Sequence, residues 1–155
     1  CASDMGKTET VRALIEARAD VTKAETQSGR SPLHIAAQFG NAATVQLLVE
    51  ARADLDRVDD DGRTALVSAA FNGDVDSARC LIEARANLDV KDINGRPALS
   101  FAMGRGHAEI AKLLIEADAD TTNEDNFGRA PLERNTPKAL GIREEMVQVA
   151  EEHKK

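Results

Sequence analysis

Gly29-Arg30-Ser31-Pro32-Leu33-His34-Ile35-Ala36-Ala37-Gln38-Phe39-Gly40 is the stretch that organises the rest of the chain. Its Gly-Arg opening and its Leu33 return as Gly62-Arg63-Thr64-Ala65-Leu66, Gly95-Arg96-Pro97-Ala98-Leu99 and Gly128-Arg129-Ala130-Pro131-Leu132, with 33 residues between successive leucines. A fixed period of this length means one small folding unit copied along an axis. Such a stack presents a surface to another molecule and has no built-in reaction chamber.

Aligned on the Gly-Arg mark, full units run over 29–61, 62–94 and 95–127. Each holds an apolar stretch, a break at Gly40, Gly73 or Gly106, and a second apolar stretch. The second stretches centre on Leu47-Leu48-Val49, Cys80-Leu81-Ile82 and Leu113-Leu114-Ile115. Leu48 with Thr44 and Val45, and Leu114 with Ile110 and Ala111, show the spacing of one helical face. The first stretches read as short helices whose inner members are small (Ala36, Ala37, Ala69, Ala70, Ala102), so neighbouring backbones come close. Between units lie polar segments ending in Asp61-Gly62 and Asn94-Gly95, turn dipeptides that predict extended, hairpin-like fingers.

Helix, turn, helix and finger at this period resembles the ankyrin repeat. The stretch from Gly29 to Gly40 follows that family's G-x-T-P-L-H-x-A-A-x-x-G run almost position by position. The resemblance implies an all-α ankyrin-repeat solenoid of about four and a half stacked helix-turn-helix units, forming a single domain over 1–155. Residues 1–28 match a partial N-terminal repeat that looks cut short, with one extra residue in its finger between Asp20 and Gly29. Residues 128–155 form a C-terminal repeat and cap, because the pattern fails at Arg134-Asn135-Thr136-Pro137. Beyond it Ile142, Met146, Val149 and His153 recur at spacings of four, three and four, the stripe of an amphipathic capping helix. One departure carries a cost. Where the family places Gly after each second helix, this chain has Arg18, Arg52, Arg85 and Asp118. A left-handed conformation there costs on the order of 1 kcal/mol relative to Gly.

Bulk properties narrow the class further. The 155 residues include four Phe and no Trp or Tyr, so the core must be built from Leu, Ile, Val and Ala. A net charge of -7 and a pI near 5.0 argue against a general nucleic-acid binder. No apolar run is long enough to span a bilayer, and no membrane insertion is expected. The cysteines are Cys1 and Cys80; Cys80 sits at an apolar helical position, so a buried thiol in a reducing, intracellular compartment is the expectation.

Motifs for chemistry are weak. Gly6-Lys7-Thr8 lacks the upstream Gly and strand of a phosphate-binding loop, and Gly104-Arg105-Gly106 lacks a third Gly. Asp59-Asp60-Asp61-Gly62 has Arg57 at the first calcium-ligand position and Ser68 where the closing Glu belongs. His34, His107 and His153 share no metal-ligand spacing. The resemblance gives His34 a structural role, hydrogen-bonding to neighbouring backbone, and His107 is expected to cap the second helix of its unit. Neither a catalytic residue nor a cofactor or metal is expected.

Stacks of the ankyrin kind bind partners with finger tips and the exposed side of the first helices. By register this selects Gln27, Ser28, Arg30, Gln38 and Phe39; Asp60, Asp61, Arg63, Phe71 and Asn72; Ile93, Asn94, Arg96 and Arg105; and Asn126, Phe127 and Arg129. Arg30, Arg63, Arg96 and Arg129 form a row, one per unit, with Phe39, Phe71 and Phe127 near it. Arginine and aromatics are enriched at the centres of protein interfaces. The expectation is a non-catalytic module whose groove takes an acidic, partly apolar segment of another protein, with the chain a monomer alone or a subunit of a hetero-complex. Two alternatives stand beside it: a structural subunit built permanently into an assembly, or a regulatory segment of a longer protein. The arginines could equally pair with finger carboxylates such as Asp59, Asp61, Asp92 or Asp125.

Overall fold

The structure is a computed structural model that describes residues 8–10, 12–13, 28–133 and 137–153. The described helices from the first finger onward are α1 (Pro32–Gln38), α2 (Ala42–Glu50), α3 (Ala65–Asn72), α4 (Val75–Glu83), α5 (Ala98–Arg105), α6 (Ala108–Glu116) and α7 (Pro137–His153). A single 3₁₀ turn spans Pro131–Glu133, and no strand occurs among the described residues. The protein is all-α, as the repeat pattern predicts.

Local chemistry sets the helix ends. Pro32 opens α1, where its missing N–H costs nothing. Thr64 Oγ1 accepts from the Val67 amide (3.2 Å) and Asn41 Oδ1 from the Thr44 amide (3.1 Å), each filling an orphan donor of a first turn. His107 takes the N-cap position of α6, but its side chain makes no capping bond, contrary to expectation. The imidazole lies instead across Gly73, where a Cβ would come within 2.6 Å of its ring. Gly73 also ends α3 at φ +80°, so that glycine is required twice over.

No helix of α1 to α6 exceeds nine residues. Helices shorter than about 12 residues are marginal alone in water, so stacking must hold them. α1, α3 and α5 pack side by side in one layer, and α2, α4 and α6 in a second. Leu33, Leu66 and Leu99 from the first layer and Leu48, Leu81 and Leu114 from the second are at most 1% exposed. Ala37, Ala69, Ala70 and Ala102 are fully enclosed between them, which lets neighbouring first helices approach closely.

α7 closes the stack against α5 and α6. Met146 is fully buried, Ala150 nearly so, and Ile142 and Val149 are half-buried. His153 does not continue that apolar stripe; it is exposed and its Nε2 lies 3.1 Å from Asp118 Oδ1.

The positions after the second helices are left-handed despite lacking glycine: Arg52, Arg85 and Asp118 have φ of 59°, 64° and 68°. The family's turn is therefore kept and its strain borne; Arg18 lies outside the described residues. Cys80 is half-buried rather than enclosed, and partial burial still pushes its thiol pKa up.

Candidate functional site

Each of the three fingers that follow a full repeat is folded by one aspartate. The Asp59 amide donates to the Arg63 carbonyl and the Gly62 amide to the Asp59 carbonyl, both at 2.9 Å, closing a tight hairpin-like turn. Asp59 Oδ1 then accepts from the amides of Asp61 (3.0 Å) and Arg63 (2.9 Å). Asp92 does the same for Asn94 and Arg96, and Asp125 for Phe127 and Arg129. All three aspartates are buried although they sit in polar segments. Their role at the backbone was the part that sequence reasoning missed. The available signal was an Asp three residues before the Gly of the last three Gly-Arg strings.

Successive fingers are tied together in register. The amides of Asp60, Ile93 and Asn126 donate to the carbonyls of Ser28, Asp61 and Asn94 at 3.2, 3.0 and 3.0 Å. At the finger base, Asp56 Oδ1 accepts from the Asn87 amide and Asp89 Oδ1 from the Asp120 amide. The fingers thus form one continuous edge.

The four arginines of the row find carboxylates inside the stack. Arg30 lies 3.6 Å from Asp59 and donates to Gln38 Oε1 at 2.9 Å. Arg63 meets Asp61 at 3.3 Å. Arg96 grips Asp92 Oδ2 through Nε (3.0 Å) and Nη2 (2.7 Å), and Arg129 holds Asp125 Oδ2 the same way at 3.2 and 3.0 Å. Internal pairing is present at every one of these positions. Burial opposes ionisation of Asp92, but the hydrogen bonds and charge of Arg96 outweigh it and hold the carboxyl below the usual carboxylate range.

The aromatic residues divide. Phe71 on α3 packs edge-to-face with Phe101 on α5, ring centres 5.9 Å apart. Arg96 covers the Phe101 ring at 4.5 Å and Arg105 covers Phe71 at 3.7 Å, while Arg63 stands 5.8 Å from the Phe101 centre. Phe101 was not singled out from the sequence, because its register mates are Ile35 and Ser68 and no repeated signal marks it. Phe39 is 75% exposed, as Phe127 is 68% and Ile93 is 64%. Arg129 lies 4.8 Å from the centre of the Phe127 ring.

Fingers and first helices enclose a shallow pocket lined by Arg30, Gln38, Asp59, Arg63, Phe71 and Asn72 together with Ser68. Asn72 Nδ2 donates to the Gln38 and Ser68 carbonyls, so it braces α1 against α3. Asn94 Nδ2 reaches Asp92 Oδ2 at 3.5 Å, and Asn126 Nδ2 donates to the Ile93 carbonyl at 3.0 Å. Gln27 lies outside the described residues.

His34 is enclosed in α1, with Nε2 2.8 Å from the Arg63 carbonyl. Among the described residues no cluster of His, Cys, Asp and Glu is arranged to hold a metal ion, and no helix is long and apolar enough to cross a membrane. A family-wide sequence profile described as ankyrin repeats (three copies) matches residues 1–92 and 68–136. Comparison with curated proteins gives no match. Ankyrin repeats are generally protein–protein interaction modules and typically non-enzymatic scaffolds. With a matching profile over most of its length, paired helices at a 33-residue period and fingers tied into one edge, the chain belongs to the ankyrin-repeat family.

Proposed function

We propose that this chain is a non-catalytic module that holds a partner protein in the groove between its fingers and first helices, with Gln38, Phe39, Phe71, Asn72, Asn94, Arg105 and Phe127 at or beside the contact. The observation that carries this reading is the exposure of Ile93 and Phe127 at successive finger tips, 64% and 68%. Covering large apolar side chains with a partner removes their surface from water and favours association. Arg30, Arg63, Arg96 and Arg129 serve this reading chiefly by fixing finger shape, since each is engaged by a carboxylate or amide of the stack.

The test is affinity purification from native extract with the wild type and with an Ile93→Ser/Phe127→Ser variant. Both side chains are exposed, so the variant should melt within about 1 °C of the wild type. The reading expects proteins retained by the wild type to be lost from the variant. Equal recovery by both would refute it.

A further inference from the structure

We propose that Arg105, stacked on Phe71 beside Phe101, seats the carboxylate of an acidic residue flanked by apolar side chains in an extended partner segment. The inference rests on the groove being the binding face and names the chemistry of its occupant. It also moves the acid-reading role away from the row of four arginines, where the pattern of the sequence first placed it.

The guanidinium groups that face the groove fall into two kinds. Arg63, Arg96 and Arg129 each have a carboxylate of their own finger within 3.3 Å, and Arg30 has Asp59 of the following finger at 3.6 Å. Arg105 has no carboxylate partner among the described residues; its contact is the Phe71 ring, 3.7 Å from the guanidinium carbon. A guanidinium over a ring is held by the negative face of the ring, while its N–H donors stay available to a carboxylate. A planar fork of this kind matches a carboxylate with two parallel hydrogen bonds. The ring is itself immobilised edge-to-face by the largely buried Phe101, which Arg96 covers from the finger side at 4.5 Å. Finger, Arg96, Phe101, Phe71 and Arg105 are therefore one continuous packed row, and no carboxylate among the described residues neutralises the charge at its end.

Charge along the finger tips gives the segment a direction. Counted from the finger that closes the 29–61 unit, the first tip is Asp60-Asp61, the second Ile93-Asn94 and the third Asn126-Phe127. Acidic groups of a partner are repelled at the first tip, whereas apolar ones are accommodated beside Ile93 and Phe127. An acidic residue thus belongs at Arg105, its apolar neighbours toward the second and third tips, and any basic residue toward Asp60 and Asp61.

The experiment selects peptides from a random phage-displayed library on the full chain, then measures affinities of synthetic winners for the wild type, Arg105→Glu, Arg105→Lys and Ile93→Ser/Phe127→Ser. The inference expects Asp or Glu flanked by apolar residues among the winners. Arg105→Glu should weaken them by about tenfold, the scale of one charge-assisted pair, with a partial loss in Arg105→Lys. Replacing the peptide's acidic residue by Lys should restore binding to Arg105→Glu. Winners without acidic enrichment, or affinities unmoved by Arg105→Glu, would overturn it, and so would a library that yields no binder. If Arg105→Glu changes nothing while Ile93→Ser/Phe127→Ser abolishes binding, the groove reading survives and the Arg105 assignment falls. If neither variant matters, both fall.

Discussion

The ring of His34 joins one repeat to the next finger: its Nε2 sits 2.8 Å from the carbonyl oxygen of Arg63. The Ser31 amide donates to Nδ1 at 3.1 Å, so Nδ1 must be the unprotonated acceptor and Nε2 carries the hydrogen. A second proton would go on Nδ1, where it breaks the amide's hydrogen bond and leaves only the Ser31 hydroxyl, 2.8 Å away, to accept it. Burial, the leading cause, already lowers the His34 pKa, and the geometry agrees with it in sign.

A pH dependence follows from this pair. A histidine in the unfolded chain takes up its proton near pH 6.5, whereas folded His34 resists until a lower pH. Its contribution is complete above about pH 6.5 and is lost as pH falls through the folded value. Denaturant melts should show stability declining from pH 7 toward pH 5, and NMR titration of the His34 ring should give a midpoint below 6.5. A midpoint above that value would contradict a neutral ring with its hydrogen on Nε2.

Position 34 is occupied differently in the following units, by Val67 and Ser100. The Ser100 hydroxyl is buried and has no hydrogen-bond partner among the described residues. A buried, unsatisfied polar group costs about 1–3 kcal/mol, so Ser100→Ala should stabilise the protein by about 1 kcal/mol in urea melts. A loss of stability would show that the hydroxyl has a partner after all.

The finger aspartates predict a contrast between neighbours. Asp92 is buried, accepts from two amides and pairs with Arg96, whereas Asp61 is part-exposed and meets Arg63 at 3.3 Å. Asp92→Ala should cost about 2–4 kcal/mol, because it strands several donors at once. Asp61→Ala should cost under about 0.5 kcal/mol, as an exposed pair does. The lowered Asp92 pKa adds a pH test: its contribution is present above about pH 4 and fades as pH falls through the folded value. Asp92→Asn should flatten that acid limb of the stability curve.

The left-handed residues offer a gain. Arg85 has φ +64° and is exposed, so Arg85→Gly should raise stability by about 1 kcal/mol by removing Cβ strain. Unchanged or lowered melting would mean that the arginine side chain offsets its own strain.

Much of this architecture was legible because the signal is repeated. Leu33, Leu66 and Leu99 mark the same buried place in successive units, and Arg52 and Arg85 stand where glycine was due, a departure whose left-handed outcome the structure decides. Features particular to one unit were not legible. Phe101 occupies a position filled by Ile35 and Ser68 elsewhere, so its pairing with Phe71 appears only in three dimensions. His107 looked like a cap, yet packing over Gly73 won over the local hydrogen bond. For the arginine row, spacing gave the alignment but could not decide between a partner's acid and the finger's own; that depended on side-chain reach.

The most direct test of the groove as the binding face is photo-crosslinking from two opposite sites in native extract. A benzophenone amino acid replaces Phe127, 68% exposed at a finger tip, or Lys112, exposed on α6 in the outer layer. The account predicts discrete partner adducts from position 127 and none from position 112. Adducts from position 112 with none from position 127 would contradict it.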